Sequence, residues 1–217
     1  MRIFFIIFAL TLTLPIFDSV ASVADLKVLA EQGDAEAQFK LGKMHQQGVD
    51  VPQNNKIALK WYRLSASQEY GKAINNLGTM YQNGHGVRKN EKRAVGFYRK
   101  SAEQGLPQAQ TNLASMYEEG IAVQKNYDKA IMLYRLAAAQ SFFPAQHRLV
   151  AIYHTGGNYW IEPDIVRAYM WASFAAELDS KNGENIKSNI AEQMTLAEID
   201  QAGILKEKCQ TSNYKNC

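Results

Sequence analysis

Cysteine is nearly absent from this chain: of 217 residues only Cys209 and Cys217 are cysteines, both at the C-terminal end. No bridge can therefore staple the body of the protein, and the two lie too far apart for a C-x-x-C redox pair. In an oxidising compartment they would form one disulfide closing a short terminal loop and pinning the last helix, the alternative being two free thiols on a tail. Reaction motifs are missing as well. There is no G-x-S-x-G, no H-E-x-x-H and no G-x-x-x-x-G-K. The single S-x-x-K, Ser212 to Lys215, sits between the cysteines without its partner motifs S-D-N and K-T-G. His147 and His154 are seven apart, two turns along one helix face, where a metal site prefers i, i+3 or i+4 with a further ligand. No catalytic residue, metal site or cofactor is expected.

Strong charge is also lacking. The net charge is +3, with lysine and arginine scattered and the densest cluster, Arg88-Lys89 and Lys92-Arg93, in one inter-helix turn. Nucleic-acid binding needs a basic stripe and a reading motif, so it is excluded. The one long apolar run is at the start, Ile3 to Phe17 after Met1-Arg2, followed by Ser19, Val20, Ala21 and Ser22. That order describes a secretory signal peptide over residues 1–22, with cleavage after Ala21 and Ser22 or Ala24 as neighbouring choices. Pro15 and Asp18 leave it short of the roughly 20 apolar residues of a membrane span. Membrane contact would come only through an uncleaved leader, and the mature protein is expected in the periplasm or secreted.

What is abundant is repetition. Leu41, Leu77, Leu113 and Leu149 recur every 36 residues, as do Ala37, Ala73, Ala109 and Ala145, and Gly48, Gly84, Gly120 and Gly156. A period of this length describes a two-helix unit that buries its apolar face only by stacking. In the third unit Ala109, Leu113, Met116 and Tyr117 form one helical stripe. Gly120 ends that helix, Asn126 caps the next, and Ala130, Leu133 and Tyr134 resume the spacing. Asn54 and Asn90 share the cap position; Ala58 and Ala94 let the paired helices approach. Tyr81, Tyr117 and Tyr153 hold one column, in which His45 is a packing residue with a polar tip.

The fold class is accordingly all-α, a solenoid of about four helix-turn-helix repeats with capping helices at both ends. The array spans 23–178, with units at about 31–66, 67–102, 103–138 and 139–176, and 179–217 forms the C-terminal caps and tail. Val23 to Glu31 caps the N-terminal end. Beyond a turn at Lys181-Asn182-Gly183, helices are expected at about 184–193 and 196–208, the second opened by a capping box of Thr195 and Glu198. The fourth unit carries two extra residues, which places a longer loop at Gly156 to Pro163.

The second unit, with Ala73, Leu77-Gly78, Tyr81, Gly84-His85-Gly86-Val87, Arg93-Ala94, Phe97-Tyr98 and Ala102, resembles the Sel-one-like repeat, a relative of the tetratricopeptide repeat. The resemblance covers about residues 23–209. It departs where Ala114 and Val150 replace the glycine of Gly42 and Gly78. It implies a right-handed α-solenoid that binds a protein or peptide partner and, in many bacterial members, is exported. A penicillin-binding, weakly β-lactamase-active branch carries cysteines in each repeat, which are missing here. An envelope hydrolase of that type and a structural link in an envelope complex are the alternatives to a non-enzymatic, monomeric scaffold.

With leucine and tyrosine committed to the core, the concave groove should be lined by Asn75, Thr111 and His147, by Thr79 and Ser115, and by Gln82, Glu118 and His154. Tyr159 and Trp160 would offer an exposed anchor in the inserted loop. Replacing Leu113 by alanine is expected to cost roughly 2–5 kcal/mol. Hydrogen exchange should then show loosening in both neighbouring repeats.

Overall fold

The computed structural model describes residues 23–159, 161–212, 214 and 217, so the leader assigned to residues 1–22 lies outside the described residues. Every regular element among them is helical. α1 (Val23–Glu31) precedes four helix pairs: α2 (Ala35–Gln47) with α3 (Asn55–Ser67), α4 (Gly71–Asn83) with α5 (Glu91–Glu103), α6 (Pro107–Glu119) with α7 (Tyr127–Ala138), and α8 (Phe143–Tyr159) with α9 (Ile165–Leu178). α10 (Ser180–Ala191) and α11 (Leu196–Thr211) follow. Consecutive helices pack from α1 through α10, and α11 folds back onto α9, which is the arrangement of a capped α-solenoid.

Local chemistry sets each pair. The first helices α2, α4 and α6 end at Gly48, Gly84 and Gly120, at φ of 71°, 74° and 72°, a left-handed backbone that glycine adopts without strain. The second helices open on Asn54, Asn90, Asn126 and Asp164, whose side-chain oxygens accept from amides of the first turn. The cap residues' own amides donate to the carbonyls of His45, Tyr81, Tyr117 and Tyr153, at 2.7, 2.8, 2.9 and 2.7 Å. Each turn is thus closed by the same bond, including the fourth with its two extra residues.

Inside a pair the helices meet at a tyrosine laid on a glycine. A Cβ on Gly42 would stand 2.8 Å from the Tyr62 ring, and one on Gly78 would stand 2.5 Å from the Tyr98 ring. Both rings are buried, as are Ala58, Ala94, Ala130 and Ala168 beside them. The hydroxyls are satisfied by the same first helix. Tyr62 donates to Gln46 at 2.7 Å, Tyr98 to Gln82 at 2.6 Å and Tyr134 to Glu118 at 2.8 Å. The repeat pattern departs from this contact twice. In the third pair Ala114 stands in the glycine column while Tyr134 keeps that of the tyrosine, and in the fourth pair Val150 stands in the glycine column while Ala172 stands in that of the tyrosine, all four being buried.

Two sequence expectations are corrected. The loop expected from Gly156 begins later, because α8 continues to Tyr159. Gly156 and Gly157 take φ of 69° and 56°, a backbone open to glycine, and the chain turns back only after them. Tyr159 therefore ends a helix; its side chain and Trp160 lie outside the described residues. The turn expected at Lys181-Asn182-Gly183 lies inside α10, which Asp179 caps by accepting from the Asn182 amide. Gly183 is there for close approach: a Cβ would fall 2.4 Å from Ala176 on α9.

The remaining end features follow the expected pattern. α11 opens on a complete Thr195–Glu198 capping box. Cys209 and Cys217 are joined in a disulfide and buried, which holds Tyr214 against Phe174 with ring centroids 5.5 Å apart.

Gly78→Val should destabilise the protein by about 1–3 kcal/mol through overlap with Tyr98. Combining it with Tyr98→Ala, which copies the fourth pair, should cost less than the sum of the two single changes. A coupling of about 0.5–3 kcal/mol from denaturant unfolding checks this; strict additivity would contradict it.

Candidate partner-binding site

The residues expected in the groove lie on α4, α6 and α8, and the structure divides them into two sets. Asn75, 9 % exposed, accepts from Asn112 of the next repeat at 3.0 Å. Gln82 accepts from the Tyr98 hydroxyl at 2.6 Å, and the Thr79 hydroxyl lies 3.2 Å from the same oxygen, within hydrogen-bond reach. Glu118 is 6 % exposed, accepts from Tyr134 and from Arg148 Nε at 3.1 Å, and forms an ion pair with the same guanidinium. Gln82 and Thr79 thus bind the two helices of their own repeat, while Asn75 and Glu118 also tie neighbouring repeats together. His154 points along the array to Gln193 at 3.2 Å, where α10 ends.

The second set is more open, with Thr111 and Ser115 half-buried and His147 exposed. Thr111 donates back to the Pro107 carbonyl of its own helix at 2.9 Å, Ser115 donates to Glu119 at 2.9 Å, and His147 is stacked on Phe143 with centroids 6.1 Å apart. Two shallow depressions lie on the helices of this array. One, about 190 Å³, is lined from three successive repeats by Phe39, Lys43, Lys72, Asn75, Asn76 and Gln108. The other, about 350 Å³, joins Phe143 and His147 of α8 to Asn182, Asn185 and Ile186 of α10. Sequence reasoning passed over Phe39, although it stands 36 residues before Asn75 in the same column. It also missed α10, because Lys181 to Gly183 read as a turn.

Electrostatics separates the tyrosines. Tyr81 is held below the usual phenol range: burial pushes its pKa up, but hydrogen bonds from Arg63 at 3.0 Å and Arg93 at 3.3 Å outweigh that. Burial pushes Tyr62 up to about 12. Burial also raises Tyr98 and, helped by the neighbouring Glu118 carboxylate, Tyr134. Among the described residues no three His, Cys, Asp or Glu side chains gather to hold a metal ion. No described helix is long and apolar enough to cross a membrane.

A stack of two-helix units, with polar side chains of successive repeats sharing one open face, defines an α-solenoid scaffold. The Sel1 repeat model matches residues 35–70, 71–106, 107–142 and 144–180. The chain belongs to the Sel1 repeat family, whose members generally mediate protein–protein interaction. Among solved structures it is similar to c5321, a protective antigen present in uropathogenic Escherichia coli strains displaying an SLR fold, at 38 % identity and TM-score 0.66. That match covers 73 % of this chain and 33 % of c5321, so the chain spans about one third of that protein's length. It is also similar to a Sel1 repeat protein from Oxalobacter formigenes, at 31 % identity and TM-score 0.66, over 77 % of this chain and 67 % of the other. No curated protein matches the sequence.

Raised phenol pKa values mean that the folded protein holds these protons more tightly than the unfolded chain. Their contribution is complete below the ordinary phenol value of 10 and is lost as pH rises towards about 12. Phenolate absorbance on alkaline titration should show one early group, removed by Tyr81→Phe, and a late group whose ionisation accompanies unfolding. Simultaneous ionisation of every tyrosine in the folded protein would contradict this assignment.

Proposed function

We propose that the protein is an exported, non-catalytic monomer that holds a partner protein or peptide along the concave face formed by its first helices. The observation that carries this reading is the depression shared by Phe39, Lys43, Lys72 and Gln108, which takes side chains from α2, α4 and α6 at once. A surface built across three repeats suits a segment running along the array. Lys43 and Lys72 are both exposed and give this end of the face a preference for acidic side chains. Thr111, Ser115 and His147 extend the same face with groups that donate and accept hydrogen bonds to a peptide. The apolar start of the chain, Ile3 to Phe17, supports delivery to the periplasm or the outside.

A photo-crosslinking residue at Ser115 should capture one defined protein from the native envelope, and the same residue at Lys60, on the second-helix side, should not. Lys43→Glu combined with Lys72→Glu should weaken that capture about tenfold or more while leaving the melting temperature within a few degrees. Equal capture from both positions, retention of the protein in the cytosol, or β-lactam turnover abolished by a single replacement would overturn the reading.

A further inference from the structure

One stripe of α7 differs from the matching stripe of its sister helices. In the 36-residue register α3 carries Lys56, Lys60 and Leu64 and α5 carries Lys92, Gly96 and Lys100, whereas α7 carries Asp128, Met132 and Leu136. Met132 and Leu136 are 53 % and 48 % exposed. They sit one helical turn apart, in a groove of about 790 Å³ that Asp128, Arg135, Tyr153 and Tyr214 also line. The volume is within the range of about 300–1,000 Å³ in which proteins bury ligand groups.

The next repeat shows what such a stripe needs. With its two-residue insertion the register becomes 38, and Val166, Met170 and Phe174 of α9 stand where α7 has Asp128, Met132 and Leu136. There the chain supplies its own cover. Val166 shares a cleft with Ile204 and Leu205 of α11, Phe174 meets Tyr214, and Met170 and Phe174 are buried. The cover ends at Tyr214, which forms a wall of the groove over α7. A helix laid on α9 continues no further, so the apolar pair on α7 is left without one.

The charges at the groove are also uncompensated. Arg135 donates to the Tyr153 hydroxyl at 2.6 Å, its Nε is buried without a partner, and neither Arg135 nor Asp128 has an ion-pair partner among the described residues. Seven residues apart on one helix, the two are separated by about 10 Å along its axis. A docking segment of matching chemistry therefore carries an acid and a base at about that separation, with apolar residues between them.

We propose that this groove docks an amphipathic helix of a partner protein. Its apolar face covers Met132 and Leu136, as α11 covers the equivalent stripe of α9, and its edge sets an acidic side chain against Arg135 and a basic one against Asp128. Tyr214 is the far wall, and the Cys209–Cys217 bridge that flanks it keeps the wall in place. The surface is separate from the first-helix face, so the two sites stand or fall independently.

The probe is a fluorescently labelled synthetic helix of about four turns, with leucines on one face and a glutamate and a lysine two turns apart at its edge. The full-length mature protein should bind it. Met132→Lys combined with Leu136→Lys, which restores the residue type of Lys60 and Lys100, should weaken binding at least about tenfold without lowering the melting temperature. Tyr214→Ala, or reduction of the disulfide, should weaken it as well. A version of the probe with glutamine in place of both charged residues should bind several-fold more weakly. Equal binding by the double variant, or no preference for the charged probe, would overturn the proposal. So would a protein that dimerises by itself and becomes monomeric in the double variant, since the occupant would then be a second copy.

Discussion

A tyrosine ring resting on the bare Cα of a glycine sets the distance between the two helices of a repeat, and the rest of the architecture depends on that distance. The ring occupies the space a side chain on Gly42 or Gly78 would need, and its hydroxyl is returned to the same first helix at Gln46 or Gln82. The contact is therefore both apolar and directional. Packing alone would tolerate rotation of one helix against the other; the hydrogen bond allows one arrangement, because a buried hydroxyl left without a partner is costly. Present in the first two pairs, the same geometry gives them the same shape, and similar units can stack with similar interfaces.

Further stitches, within repeats and between them, use the same vocabulary. Ser65 and Ser101 on second helices donate to carbonyls at the start of the first helix of their own unit, Ala35 and Gly71, at 2.6 and 2.9 Å. Gln38 and Gln146 reach back to Ala30 and Ala138 at the end of the preceding second helix. In the third unit the acceptor of the tyrosine hydroxyl is a glutamate, and this one change recruits Arg148 from the fourth unit into the interface. An internal contact thereby becomes a contact between repeats. The fourth unit abandons the tyrosine, and its neighbours α10 and α11 close the array with a different contact, the approach of Gly183 to Ala176.

Most of the fold was legible in the sequence because each structural rule is expressed at least three times. A cap asparagine, a terminating glycine and a small alanine at fixed offsets are individually weak signals, and their recurrence at 36 residues makes them strong. Gly183 shows the limit. It occurs once, and a lone glycine after Lys181-Asn182 reads as punctuation, since the partner that requires it, Ala176, is adjacent only in three dimensions. The same limit governs the candidate site. Gln82 and Glu118 looked like free polar groups because column reading identifies which residues share a face but not what faces them across the pair; the tyrosines that hold them are 16 residues away in sequence. Lys43 and Lys72 escaped notice for another reason: Lys43 heads the column of Thr79 and Ser115, but the depression it lines with Lys72 forms only where α2, α4 and α6 meet. The unusual stripe of Asp128, Met132 and Leu136 became meaningful only once α11 was seen lying over its counterpart on α9.

The amide that closes each turn onto the carbonyl at position 45, 81, 117 or 153 has an evolutionary corollary. Because that bond joins the two ends of the connection and ignores what lies between them, the connection is insulated from the helices it links. The fourth unit already exploits this, carrying two more residues than its siblings while its second helix starts from the same anchored geometry. Each turn is in effect a graft point. New sequence can enter there and diversify without disturbing the pairing of the helices on either side, so a protein of uniform body can acquire individuality at its turns.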